Sequence, residues 1–205
     1  MYTVDPALIR EAFAEASATF RRTVGAVPAG MWDRPSGCGT WTVRELVAHT
    51  LRAFSTIGTY LDAAPTSDVL ITDAVDYYRT VLVDPGVHAG VAARGREAAA
   101  SLADPAGDVE IAAQTIGGRV ASTGDDEQVN TRFAQIPFIH YLATRVIELA
   151  LHTADLQRAI GSPVDMHPVV AEAVLDVLVR LGSPTTVALA LSGRGSLPAD
   201  YNVLG

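Results

Sequence analysis

Apolar residues recur at three- and four-residue intervals along most of the chain, while the strict alternation of a half-buried strand is scarce. Asp5-Pro6 pairs a capping side chain with proline at the first helical position, and Gly25 closes the stretch, so a helix is predicted over 5–25. A loop with Pro28, Gly30, Pro35, Gly37 and Gly39 follows. Thr42-Val43-Arg44-Glu45 is a capping box, and Trp41 and Leu46 are placed for the hydrophobic staple. Val43, Leu46, Val47, Thr50, Phe54, Ile57 and Leu61 mark one face of this second helix, expected to run to about Ala64.

Helices are predicted near 70–81, 87–103 and 105–116, with a break at Asp84-Pro85-Gly86. Residues 117–130 are polar and glycine-containing and are expected to form a loop; a short strand near 128–133 stays open. Pro137 starts a helix over 137–160, which Gly161-Ser162-Pro163 stops with a glycine just past its end. Val170, Ala173, Val174, Val177, Leu178 and Leu181 mark another over 168–181, and a short helix near 184–191 precedes the tail. The expected class is all-α: an up-and-down four-helix bundle with additional short helices.

At 205 residues and 49% apolar content the chain suits one large core. The net charge of -8, with no Arg cluster standing out in the sequence, argues against nucleic acid or an anionic membrane surface as partners. An anionic substrate would then need a local arginine or a metal. Cys38 is the single cysteine, the N-terminus lacks the pattern of a signal peptide, and charges interrupt every apolar run before it reaches spanning length. A reducing cytoplasm is the expected location.

The helix over 137–160 is apolar almost all round, which marks a buried helix, yet Thr144, Arg145, Glu148, His152 and Asp155 gather on one narrow side. Glu148 and His152 stand one turn apart on that side. They read either as a solvent-facing pair contributing about 0.2–0.5 kcal/mol or as two ligands that need a third from elsewhere. His49, beside Glu45, Arg52 and Thr56 on the second helix, is the available third, or else a boundary histidine bonded to a neighbour. His88 and His167 sit in or beside turns, and His140 points away from the stripe. Cys38 is expected to be a plain semi-buried thiol, with a place near a metal as the alternative, Arg94-Gly95-Arg96-Glu97 a solvated helix face, and Tyr77-Tyr78 packing residues. Asp125-Asp126-Glu127 lacks the ligand spacing of a calcium loop.

Trp41-Thr42-Val43-Arg44-Glu45-Leu46-Val47-Ala48-His49 resembles the W-S/T-x-x-x-x-x-x-H segment of the DinB-like superfamily. Arg145-Val146-Ile147-Glu148-Leu149-Ala150-Leu151-His152-Thr153-Ala154-Asp155-Leu156 resembles the R-x-x-E-x-x-x-H-x-x-D-L segment of its mycothiol-dependent maleylpyruvate isomerase branch. The resemblance extends from the first helix to about Gly161. It implies a divalent metal, zinc first with nickel or iron as alternatives, held by His49, Glu148 and His152. Two imidazoles and a carboxylate suit zinc and leave one position open. Asp155 would orient a ligand imidazole, or stand as an exposed helix-end acid; Arg145 would anchor a substrate carboxylate, or pair with Glu148 or Asp155.

The resemblance further implies a low-molecular-weight thiol of the mycothiol type as co-substrate, activated for isomerisation of, or transfer of its sulfur to, a small electrophile, and a homodimer as the assembly. One DinB-like domain over 1–205 is expected, with its core bundle at about 5–161, a helical extension and tail at about 162–205, and no separate C-terminal α/β domain. Because the family's isomerases take substrate contacts from such a domain, maleylpyruvate itself fits poorly. A non-catalytic metal- or ligand-binding regulatory protein and a metal-dependent hydrolase are the competing classes.

Overall fold

Asp5 caps α1 (Pro6–Gly25), its carboxylate accepting from the backbone N–H groups of Ala7 and Leu8. Thr42 and Glu45 form both halves of the capping box that opens α2 (Val43–Leu61). Asp73 caps α3 (Ala74–Val81), and α4 (Val87–Ala100) and α5 (Pro105–Ser122) follow. Two short strands, β1 (Gln128–Asn130) and β2 (Gln135–Pro137), lead into α6 (Phe138–Ala159). The chain closes with α7 (Pro168–Leu181) and α8 (Pro184–Leu191). The structure is a computed structural model describing residues 4–83 and 87–204, without the side chains of residues 87–89, 91 and 92. The predicted break at Asp84-Pro85-Gly86 and the side chain of His88 lie outside what it describes.

The fold is all-α, built on a four-helix bundle. Helices α1 and α2 each pack against both α5 and α6, with α4 laid on α2 and α7 on α1. Phe54 of α2 meets Phe13 and Phe20 of α1 at ring-centroid distances of 6.0 and 6.2 Å in the bundle centre. Among the described residues, no helix is long and apolar enough to cross a membrane.

Two local expectations change. The helix predicted to end at 116 continues to Ser122 through Gly117 and Gly118, because Val109, Ile116 and Val120 extend its buried face and packing overrides glycine's weak helix propensity. The helix expected from 70 starts at Ala74: Asp73 caps it, and Ile71 donates its N–H to the Gln135 carbonyl at 2.9 Å.

Strands β1 and β2 pair antiparallel with Val129 opposite Ile136, both fully buried. The turn between them is fastened by Thr131, whose hydroxyl donates to the Ala134 carbonyl and accepts from the N–H groups of Phe133 and Ala134. That turn carries Arg132 and Phe133 towards α2.

Candidate metal centre

Helix α6 is held at both ends. Pro137 precedes its first turn, and Gly161 adopts φ +73°, so the Gly161 and Ser162 N–H groups satisfy the last carbonyls, those of Arg158 and Gln157. Its polar stripe faces inwards. Thr144 is fully buried, Arg145, Glu148 and His152 are half-buried, and all three of the latter line a cavity of about 350 Å³. The reading of the stripe as a solvent face is thereby excluded.

His49 projects from α2 into the same space. Its Nε2 lies 3.4 Å from Glu148 Oε2, and His152 Nε2 lies 3.6 Å from the same oxygen. The two imidazole rings meet edge to face, 4.9 Å between centroids and 84° between planes. One ligand atom from each of His49, Glu148 and His152 falls within 4.8 Å of the other two. Tetrahedral bonds of zinc length place donors roughly 3.4 Å apart, so the two measured separations match those of neighbouring ligands on one ion. The donor set fits a divalent cation.

The surroundings fix both rings. Trp41, just ahead of α2, stacks on His49 with centroids 4.6 Å apart. Gly95 of α4 packs over this pair so closely that a Cβ there would lie 3.5 Å from atoms of both His49 and Trp41. Asp155 Oδ2 stands 3.4 Å from His152 Nδ1. Arg145 donates from Nε to Thr144 Oγ1 at 3.1 Å and lies 4.8 Å over the Tyr141 ring. It forms no ion pair with Glu148 or Asp155.

Burial pulls the His49 imidazole below its ordinary pKa, more than its hydrogen bond with Glu148 restores. Burial also acts against a charged His152, but hydrogen bonds with Asp155, Cys38 and Glu148 outweigh it and hold that ring well above the ordinary value. On Glu148, burial is overcome by hydrogen bonds from His152 and His49 and by the Arg145 charge, so its carboxyl titrates well below the usual range. The cluster therefore keeps the carboxylate ionised and His49 neutral, the forms a metal ligand needs, whereas His152 favours its protonated form and must release that proton as a cation arrives.

Several lining residues differ from their sequence reading. Cys38 is half-buried as expected, and its Sγ also lies within 4.8 Å of donor atoms of His152 and Asp155, carried there by the loop that ends at Trp41. Arg94 lines the cavity and Gly95 is buried against Trp41 and His49, because α4 lies across α2, while Arg96 and Glu97 are solvent-exposed as expected. Tyr77 and Tyr78 are buried and also line the cavity, so they shape the site as well as pack. His140, expected to point off the stripe, is buried and lines no part of the cavity. Arg52, read beside His49 on the same helix, three residues further on, also lines the cavity.

Residues 13–157 match the family model of the mycothiol maleylpyruvate isomerase N-terminal domain. The chain belongs to this family. It is a mycothiol-related, DinB-like, metal-binding family, and the match covers α2 and nearly all of α6, with His49, Glu148 and His152. No curated protein and no solved structure matches the chain.

Proposed function

We propose that this protein is a metal-dependent enzyme that activates a low-molecular-weight thiol of the mycothiol type for isomerisation of, or sulfur transfer to, a small electrophile. His49, Glu148 and His152 would hold the ion, with zinc as the first candidate. The observation that carries this reading is the convergence of their three donors at the wall of a 350 Å³ cavity large enough for a small substrate. A divalent cation bound there supplies Lewis acidity sufficient to keep a thiol deprotonated at neutral pH.

The chain's own residues do the rest. Glu148 contributes a carboxylate already ionised, and His49 an imidazole already neutral. Asp155 accepts at His152 Nδ1, which leaves Nε2 turned to the centre. Trp41 and Gly95 pack against His49 and hold its ring in place. Arg145, braced on Tyr141 and free of a carboxylate partner among the described residues, offers positive charge to an anionic group on the electrophile.

The test is direct. Protein purified without added metal is assayed for bound metal, then for thiol-dependent loss of a haloarene or activated enoyl compound, beside a His49→Ala variant. Thiol-dependent turnover confined to the metal-loaded parent supports the proposal. Equal rates in parent and variant sink it, thiol-independent turnover assigns a hydrolase, and tight metal without turnover assigns a binding protein.

A further inference from the structure

Four arginines line the cavity: Arg52 on α2, Arg94 on α4, Arg132 in the β1–β2 turn and Arg145 on α6. All fifteen basic residues of the chain are arginine, against 23 acidic ones. Seven arginines elsewhere hold a carboxylate, among them Arg10 with Asp125 and Arg21 with Glu110, each at 2.5 Å. The four at the cavity hold none among the described residues. Arg22, Arg34, Arg96 and Arg194 also hold none among the described residues, but all four are exposed to water, whereas Arg52, Arg94 and Arg145 are half-buried at the cavity without a neutralising partner.

Three of them act on one another. Burial and then the charges of Arg132 and Arg52 push the Arg94 guanidinium below its ordinary pKa. Arg52 and Arg94 are half-buried, and Arg132 stands exposed at the rim with its guanidinium 5.6 Å over the Phe133 ring. The turn that presents Arg132 is fixed by the Thr131 hydrogen bonds. Like charges gathered from three separate elements repel unless an anion joins them. Guanidinium forks match the oxygen pairs of carboxylates and phosphates.

We propose that Arg52, Arg94 and Arg132 form an anion subsite on the cavity wall, separate from the metal ligands, that takes a carboxylate or phosphate carried by the thiol or by its electrophile. What the anion is attached to rests on the function proposed above; anion capture itself needs no metal, so the two readings fail separately.

The test uses the full chain, metal-stripped and zinc-loaded. Calorimetric titration with inorganic phosphate and with succinate is run at constant ionic strength set by sodium chloride. Both forms are expected to bind one or both anions, and Arg94→Gln and Arg132→Gln to weaken binding by about tenfold or more while circular dichroism stays unchanged. Arg96→Gln, on α4 but outside the cavity, is expected to bind as the parent does. Displacement of bound phosphate by N-acetylcysteine, but not by N-acetylcysteamine, assigns the anion to the thiol. Displacement by succinate and by neither thiol assigns it to the electrophile. Absence of saturable anion binding, or equal binding in the parent and both cavity variants, overturns the proposal, and since Arg132 lies exposed on a turn, loss of fold is not expected to mask the result.

Discussion

His49 Nε2 and Glu148 Oε2 lie 3.4 Å apart although 99 residues of chain separate them. With His152 beside the same oxygen, this contact assembles the proposed coordination shell, which single substitutions are expected to dismantle. His49→Ala and Glu148→Ala are each expected to weaken zinc binding by more than about 100-fold, the upper end seen for partners one layer further out. Metal content after dialysis against a graded chelator checks this, and retention of metal by either variant counts against the shared site.

Asp155 touches His152 rather than the centre itself. Asp155→Asn is expected to weaken metal binding by about 10- to 100-fold and to leave the thermal midpoint of the metal-free protein nearly unchanged. A loss as large as that of His49→Ala would instead make Asp155 a direct ligand.

Phe54 is fully buried where α1 and α2 meet, against Phe13 and Phe20. Phe54→Ala removes that filling and is expected to cost about 3–5 kcal/mol in urea unfolding. A cost below about 1 kcal/mol would mean the bundle centre collapses to fill the space.

Acid sensitivity follows from His140. Burial holds its folded pKa below the ordinary 6.5, despite the pull of Asp73 and Asp126. The unfolded chain takes up the proton first, so stability is full above 6.5 and falls as pH drops towards the folded value. His49 is displaced the same way and adds to the slope. In metal-free protein, His140→Gln is expected to flatten part of the loss between about pH 7 and about pH 5; an unchanged slope would show that His140 does not titrate in this window.

The capping box at Thr42, the terminating Gly161 and the polar stripe of α6 were legible along the chain, because capping and helical period are local physics, but whether the stripe faced water or the interior was not. The pairing of His49 with Glu148 was not legible from spacing; it came from two matched segments, since nothing local says which helices meet. The gathering of Cys38, Arg94 and Arg132 at one cavity was not legible for the same reason. They lie on a loop, on a crossing helix and on a turn, and they gather only after α4 and the β1–β2 turn fold over α2. Gly117-Gly118 misled in the opposite sense, because the apolar positions around them outweigh two flexible residues.

The close, tilted contact between Trp41 and His49 also equips the molecule with its own optical probe. Indole emission responds to the charge and rigidity of an adjoining imidazole, so filling or emptying the pocket will alter fluorescence without any attached dye. Trp32, the other tryptophan, lies outside the cavity lining and supplies a constant background. Occupancy can thus be followed in real time, even where turnover is too slow to detect.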